Sequence, residues 1–207
     1  MSCYAIDGVT PVIDDSSFVH PASTIIGDVI IGPGCYVAPG AVLRGDFGRI
    51  VLEQGANIQD TCVMHGFPNT DTVVERNGHI GHGAVLHGCV IRENALVGMN
   101  AVVMDGACVG KSAIVAAMSF VKANEIIPDR HLVAGTPARI IRELSDEEIE
   151  WKMNGTSDYH RLVQRSFTSL QAVEPLTEVE AGRQHLDVSD SIPLYQAREK
   201  INSNKDT

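Results

Sequence analysis

Aromatic rings, leucine and clustered basic charge are all scarce in this chain. Only 5% of its 207 residues are Phe, Tyr or Trp, so a core must be filled by many small branched side chains. Leucine occurs 11 times against 41 for valine plus isoleucine, and up to Lys122 the contrast is 4 against 29. That balance favours strands over helices. With 16 Lys and Arg against 26 Asp and Glu, the formal charge is −10, which speaks against nucleic acid or an anionic membrane surface as partner. No apolar run approaches the ~18 residues of a spanning helix, and residues 1–10 lack the layout of a signal peptide, so a cytoplasmic protein is expected. The five cysteines (Cys3, Cys35, Cys62, Cys89, Cys108) are odd in number and form no C-x-x-C pair. Reduced thiols serving as small fillers are expected rather than a disulfide framework.

What the chain does have is a strict period of six. Val19, Ile25, Ile31, Val37 and Leu43 open it; Leu52, Ile58 and Met64 resume it, then Ile80 and Leu86, and finally Ile91, Val97, Val103, Val109, Val115 and Val121. Four places after these apolar residues stands a small one, such as Cys35, Ala41, Ala56, Cys62, Ala84, Ala95 or Ala101. Helices repeat at 3.6 and hairpin sheets at two, so a large site and a cramped site fixed six apart point to a parallel β-helix of hexapeptide repeats. Interruptions at 46–51 and 66–79, and a one-residue deletion between Leu86 and Ile91, mark loops or altered corners. The solenoid is expected over residues 8–135. A turn and a helix opened by the capping box Ser145-Asp146-Glu147-Glu148 follow over 136–172, and a polar, unpatterned 173–207 reads as an extended tail.

The repeat also sets directions. If each apolar site faces inward, the next residue faces out, so His65 after Met64 and His87 after Leu86 both point outward. Placing Leu43, Met64 and Leu86 on one wall, with Val73-Val74 supplying another wall inside the second loop, stacks Arg44, His65 and His87 in successive coils about 4.8 Å apart. His82 falls near a corner, where it would reach the histidine pair of a neighbouring chain in a trimer. Three imidazoles with a fourth position for water form the open layout of a catalytic zinc site, in which bound water has a pKa near 7. His20, His79 and His131 read as structural, and Cys62 as an inward filler.

At Leu43-Arg44-Gly45-Asp46, Asn57-Ile58-Gln59-Asp60, Met64-His65-Gly66 and Gly78-His79-Ile80-Gly81-His82-Gly83-Ala84-Val85-Leu86-His87-Gly88, the chain resembles the γ-class carbonic anhydrase-like hexapeptide family. The resemblance implies a mainly β fold, a left-handed parallel β-helix with a C-terminal α-helix packed along it, assembled as a homotrimer with metal at its interfaces. It implies His65 and His87 as ligands from one chain and His82 from the next, holding Zn2+, with Fe2+ or Co2+ as alternatives. Gln59 would orient the bound hydroxide, Arg44 and Asp60 would pair across the interface, Asp46 would support that pair, and Tyr159 resembles a tyrosine that reaches the site. A helix tyrosine resting on the wall is the simpler reading of Tyr159.

One departure stands out: Phe47 and the Phe67-Pro68-Asn69-Thr70 loop occupy places where the archetype carries proton-exporting glutamates. The expected substrates are therefore small molecules, an acyl-CoA thioester as in the phenylacetate-degrading branch of the family, CO2 and bicarbonate, or both. Two other classes fit the repeat: a metal-independent hexapeptide acyltransferase with a histidine as general base, and a non-enzymatic trimer stapled by metal.

Overall fold

The computed structural model describes residues 2–205 and is mainly β, a parallel β-solenoid of about 7 turns with a C-terminal helix. Its strands are short because each spans one side of a triangular coil before the chain turns. Hydrogen bonding in parallel register joins Val19, Val37, Ile58, Ile80, Val97, Val115 and Val133 into one wall. We call this wall A. Ile25, Leu43, Met64, Leu86, Val103 and Val121 form wall B. Ile31, Leu52, Val74, Ile91, Val109 and Ile127 form wall C. Two long strands, Thr24–Ile31 and Val42–Leu52, run through the corner between walls B and C. The register slips between Gly27 and Val29, where residues 46–49 form an extra loop.

The period of six is thus a packing rule. The inward residues and the small residues beside them are sealed from solvent, including Cys35, Cys62 and Cys89, and all five cysteines are unpaired. Burial pushes the thiols of Cys35 and Cys62 up to about 11 and that of Cys89 to about 12. Corners require positive φ, met at one edge by Gly55 (φ 70), Asn77 (57) and Asn94 (57). Gly55 has a second reason to lack a side chain, since a Cβ there would lie 2.5 Å from Asn77 Oδ1 and 2.8 Å from His160 Nε2. Gly55→Ala is accordingly expected to cost about 1–3 kcal/mol, read as a lowered melting temperature.

Helix α1 (Asp146–Ser169) begins at N-cap Ser145 with both capping-box hydrogen bonds formed. Its buried face is largely polar, carrying Glu148, Lys152, Thr156, Val163 and Ser166. The helix docks on the solenoid by reading exposed corner groups. Lys152 Nζ donates to Asn77 O (2.6 Å) and Asn94 Oδ1 (2.7 Å), and His160 Nε2 donates to Gly55 O at 3.0 Å. Farther along, Val163 packs with Phe18, Tyr36 and Ala38 on the first coils of wall A. The stretch expected to be an extended tail is extended only in part. It returns to α1, where Trp151 Nε1 donates to Ile192 O at 2.7 Å, and then forms helix α2 (Leu194–Lys205). Among the described residues no helix is long and apolar enough to cross a membrane.

Candidate metal centre

Wall B brings His65 and His87 into register on adjacent coils, with ring centroids 5.1 Å apart. His65 Nδ1 and His87 Nε2 face each other at 3.1 Å. The outer nitrogens are occupied: His65 Nε2 donates to Asp46 Oδ1 at 3.0 Å, and His87 Nδ1 donates to Asp105 Oδ1 at 2.6 Å. These two carboxylates fix both tautomers so that the facing nitrogens each carry a lone pair. Two lone pairs at that separation repel unless a proton or a metal ion lies between them. In a tetrahedral zinc site with Zn–N bonds of about 2.0–2.1 Å, neighbouring ligand atoms stand roughly 3.3–3.4 Å apart, so the spacing suits one metal ion.

Asp46 also accepts from Arg44 Nη1 at 2.7 Å. Partial burial works against its charged form, but the hydrogen bonds from Arg44 and His65 outweigh it and hold the carboxyl below the usual range. Within one chain Asp46 thus supports Arg44, as expected. Asp60 accepts from His82 Nδ1 at 2.6 Å. His82 is about half exposed, stands apart from the His65/His87 pair, and turns its free Nε2 away from Asp60. Among the described residues of a single chain, no three His, Cys, Asp or Glu side chains converge on one metal position.

Gln59 is buried beside His79, a residue the repeat register left aside as structural. Gln59 Nε2 lies 2.7 Å from His79 Nε2 and 3.1 Å from Asn57 Oδ1. Burial depresses the His79 pKa to about 3, with Lys152 and His82 adding to the effect, so the ring is neutral. Asn57 Nδ2 is a buried side-chain atom left without a partner. His79 Nδ1 lies 3.4 Å from Thr156 Oγ1, whose own proton goes to Lys152 O, so the neutral ring donates there and accepts from Gln59 Nε2 through its Nε2. Tyr159 of α1 packs edge-on against His79 with centroids 5.2 Å apart, and burial raises its pKa. His20 and His131 bond only local backbone.

Asp105 escaped the sequence reading: the coil repeat here is 17 residues, Leu86 pairing with Val103, so Asp105, 18 after His87, falls one place beyond the register of that histidine. Any metal ion held by the pair would bind about 10–100-fold more weakly in Asp105→Asn, measured by competition with a chromophoric chelator. The two phenylalanines that replace the expected carboxylates lie against the imidazoles, Phe47 at 5.5 Å from His65 and Phe67 at 5.1 Å from His87 between centroids.

The family described as bacterial transferase hexapeptide (six repeats) matches residues 10–45. Carnitine operon protein CaiE of Salmonella agona (strain SL483) is 54% identical over 186 residues, covering 90% of this chain and 94% of that protein. CaiE of Escherichia coli O157:H7 is 55% identical over 186 residues, covering 90% and 95%. Among solved structures, a putative acetyltransferase, product of the BC4754 gene of Bacillus cereus, superposes with TM-score 0.80 at 33% identity over 82% of this chain and 98% of that one. A hexapeptide transferase family protein from Anaplasma phagocytophilum superposes with TM-score 0.76 at 36% identity, covering 79% and 96%. Repeat, coil register and sequence identity over nine-tenths of the length agree: the chain belongs to the hexapeptide-repeat family that includes carnitine operon protein CaiE.

Proposed function

We propose that the protein is a metal-dependent hydrolase that adds water to the carbonyl carbon of an acyl-CoA thioester and, more slowly, to CO2. It works as a homotrimer of left-handed solenoids with each site shared between two chains. The facing lone pairs of His65 and His87 carry this reading. His65 Nδ1 and His87 Nε2 of one chain and the free nitrogen of His82 of the next would hold Zn2+, or Fe2+ or Co2+. Bound there with one position open, such an ion acts as a Lewis acid and makes water acidic enough to attack near neutral pH.

The protein groups do the rest. Asp46, Asp105 and Asp60 hold the three rings and their tautomers. Arg44 steadies Asp46. Gln59 hydrogen-bonds the attacking water, and Tyr159 closes the inner end against bulk solvent. Phe47 and Phe67 leave no carboxylate relay beside the pair, which suits turnover of about 10 per second better than rapid CO2 hydration, where proton export is limiting.

Names among the structural relatives favour a second reading, an acyltransferase that needs no metal. Assaying metal-loaded and metal-stripped protein for CoA release and for CO2 hydration separates the two. Stripping is expected to lower both rates at least about 100-fold, with recovery on adding Zn2+. Rates indifferent to stripping, together with acceptor-dependent acyl transfer, would establish the second reading. Metal that raises the melting temperature while no substrate turns over would mark a stapled, non-enzymatic trimer.

A further inference from the structure

Outward positions of wall A form a column in strict register: Phe18, Tyr36, Asn57, His79, Leu96, Ile114 and Leu132. Helix α1 covers its lower part closely, with Tyr159 against Tyr36 and His79 and Phe167 against Phe18. Higher up, α1 and the wall part, and a cavity of about 580 Å³ opens between them. Leu96, Ile114 and Leu132 floor it, Trp151 and Leu194 roof it, and Gln59, His79 and His82 stand at one end. Its volume lies within the range of about 300–1,000 Å³ typical of small-molecule pockets and far exceeds what CO2 or an acetyl group would fill.

The cavity is lined mainly by apolar side chains, and one cation, Arg198, stands at its rim. Arg198 donates through Nε to Glu148 Oε1 at 2.8 Å, and Glu148 also accepts two 2.7 Å hydrogen bonds from Arg142, so the three groups together keep one positive charge there. Lys152 is turned away into the corner groups. The roof comes from the returning C-terminal segment, tied to α1 by Trp151 with Ile192 O, Ser191 with Asp158, and Arg198 with Glu148.

We infer that this cavity is the acyl chamber of the hydrolase, taking an uncharged apolar acyl group of ring size or larger, with the segment from Ser191 to Arg198 as its lid. The inference rests on the hydrolase reading for its chemistry, since the chamber ends at His82 and Gln59, where the thioester carbon would meet the neighbour's His65 and His87. Phe47 and Phe67 of that neighbour would extend the apolar lining.

Ile114→Trp fills the chamber without touching the histidine cluster, and Leu132→Trp fills it from the next coil should the first variant misfold. The measurements are kcat and KM for benzoyl-CoA, hexanoyl-CoA and acetyl-CoA, with equilibrium dialysis of benzoyl-CoA on the same trimers. The native protein is expected to prefer benzoyl- or hexanoyl-CoA to acetyl-CoA by at least about tenfold in kcat/KM. Ile114→Trp should erase that preference mainly through KM and abolish benzoyl-CoA retention. Thioester hydrolysis that favours acetyl-CoA, or that ignores both tryptophans, overturns the chamber and leaves the hydrolase reading standing. Benzoyl-CoA retained by the native chain, lost in both variants, yet never hydrolysed keeps the chamber and overturns the hydrolase.

Discussion

His65→Ala and His87→Ala are each expected to remove the bound metal and to lower hydrolysis at least about 1,000-fold, a loss of roughly 4 kcal/mol of transition-state stabilisation. The expectation follows from the tautomers. Asp46 and Asp105 accept hydrogen bonds from the outer nitrogens, so that in the neutral rings the inner nitrogens, 3.1 Å apart, both offer lone pairs. Removing either ring ends the convergence. His82→Ala should be equally inactive, for a different reason: it stands at a corner and, in the proposed trimer, would serve a neighbour's pair. Mixed trimers discriminate. When His65→Ala and His82→Ala chains are unfolded, mixed in equal amounts and reassembled, about a quarter of the interfaces combine an intact pair with an intact His82. Recovery of about a quarter of the native rate and metal content is expected. None, in trimers shown by mass spectrometry to be mixed, would end the shared-site proposal, whereas activity of His82→Ala by itself would move the third ligand elsewhere.

From pH 7 to pH 9 one side chain should add about 2–3 kcal/mol of stability, of which the buried thiols take back about 1 kcal/mol as pH nears 9. Lys152 is buried, has two carbonyl-type acceptors and no carboxylate, and burial lowers its pKa from 10.5 to about 7. Between those values the unfolded chain binds a proton that the folded chain does not. Raising the pH therefore favours folding, and the gain is lost as pH falls toward 7. The buried thiols act oppositely and prevail beyond about pH 9. The folded chain keeps the protons of Cys35, Cys62 and Cys89 while the unfolded chain releases them. Stability should thus peak near pH 9, and Lys152→Met should flatten the rise below it. Urea titrations of both proteins at pH 7, 8 and 9 provide the check, and parallel slopes would show that Lys152 is not the source. Below pH 6.5 the neutral ring of His79 adds a separate loss, since the unfolded chain takes up a proton there and the folded one takes it up only near pH 3.

The solenoid was legible because its rule is local and repeated. Each coil must put one large and one small residue inside, so the register of Leu43, Met64 and Leu86 follows once the first interruption is taken as a corner insertion and Val73-Val74 as the missing piece of wall C, which the pairing of Leu52 with Val74 bears out. The stacking of His65 on His87 follows as well, because an outward neighbour inherits the register of its inward partner. Other parts of the site were less accessible. Asp105 sits at a corner, where side-chain direction depends on turn geometry rather than on the period of six. His79 occupies an outward position whose character is decided by what lies over it, and that cover, Tyr159 and Thr156, comes from a helix 77 residues away. The return of the C-terminal segment depends on single ties such as Trp151 with Ile192 O, which leave no periodic trace in a polar stretch.

A stack of coils in which each touches only its neighbours would ordinarily fray from either end, one rung at a time. Here α1 descends the stack against its direction of growth, gripping Asn94 and Asn77 through Lys152, Gly55 through His160, and the aromatic first rungs through Val163. Opening the first coils therefore means releasing the helix that also clasps the middle of the array. Melting is then expected to be concerted rather than stepwise, with the coils bearing the histidines opening together with the rest.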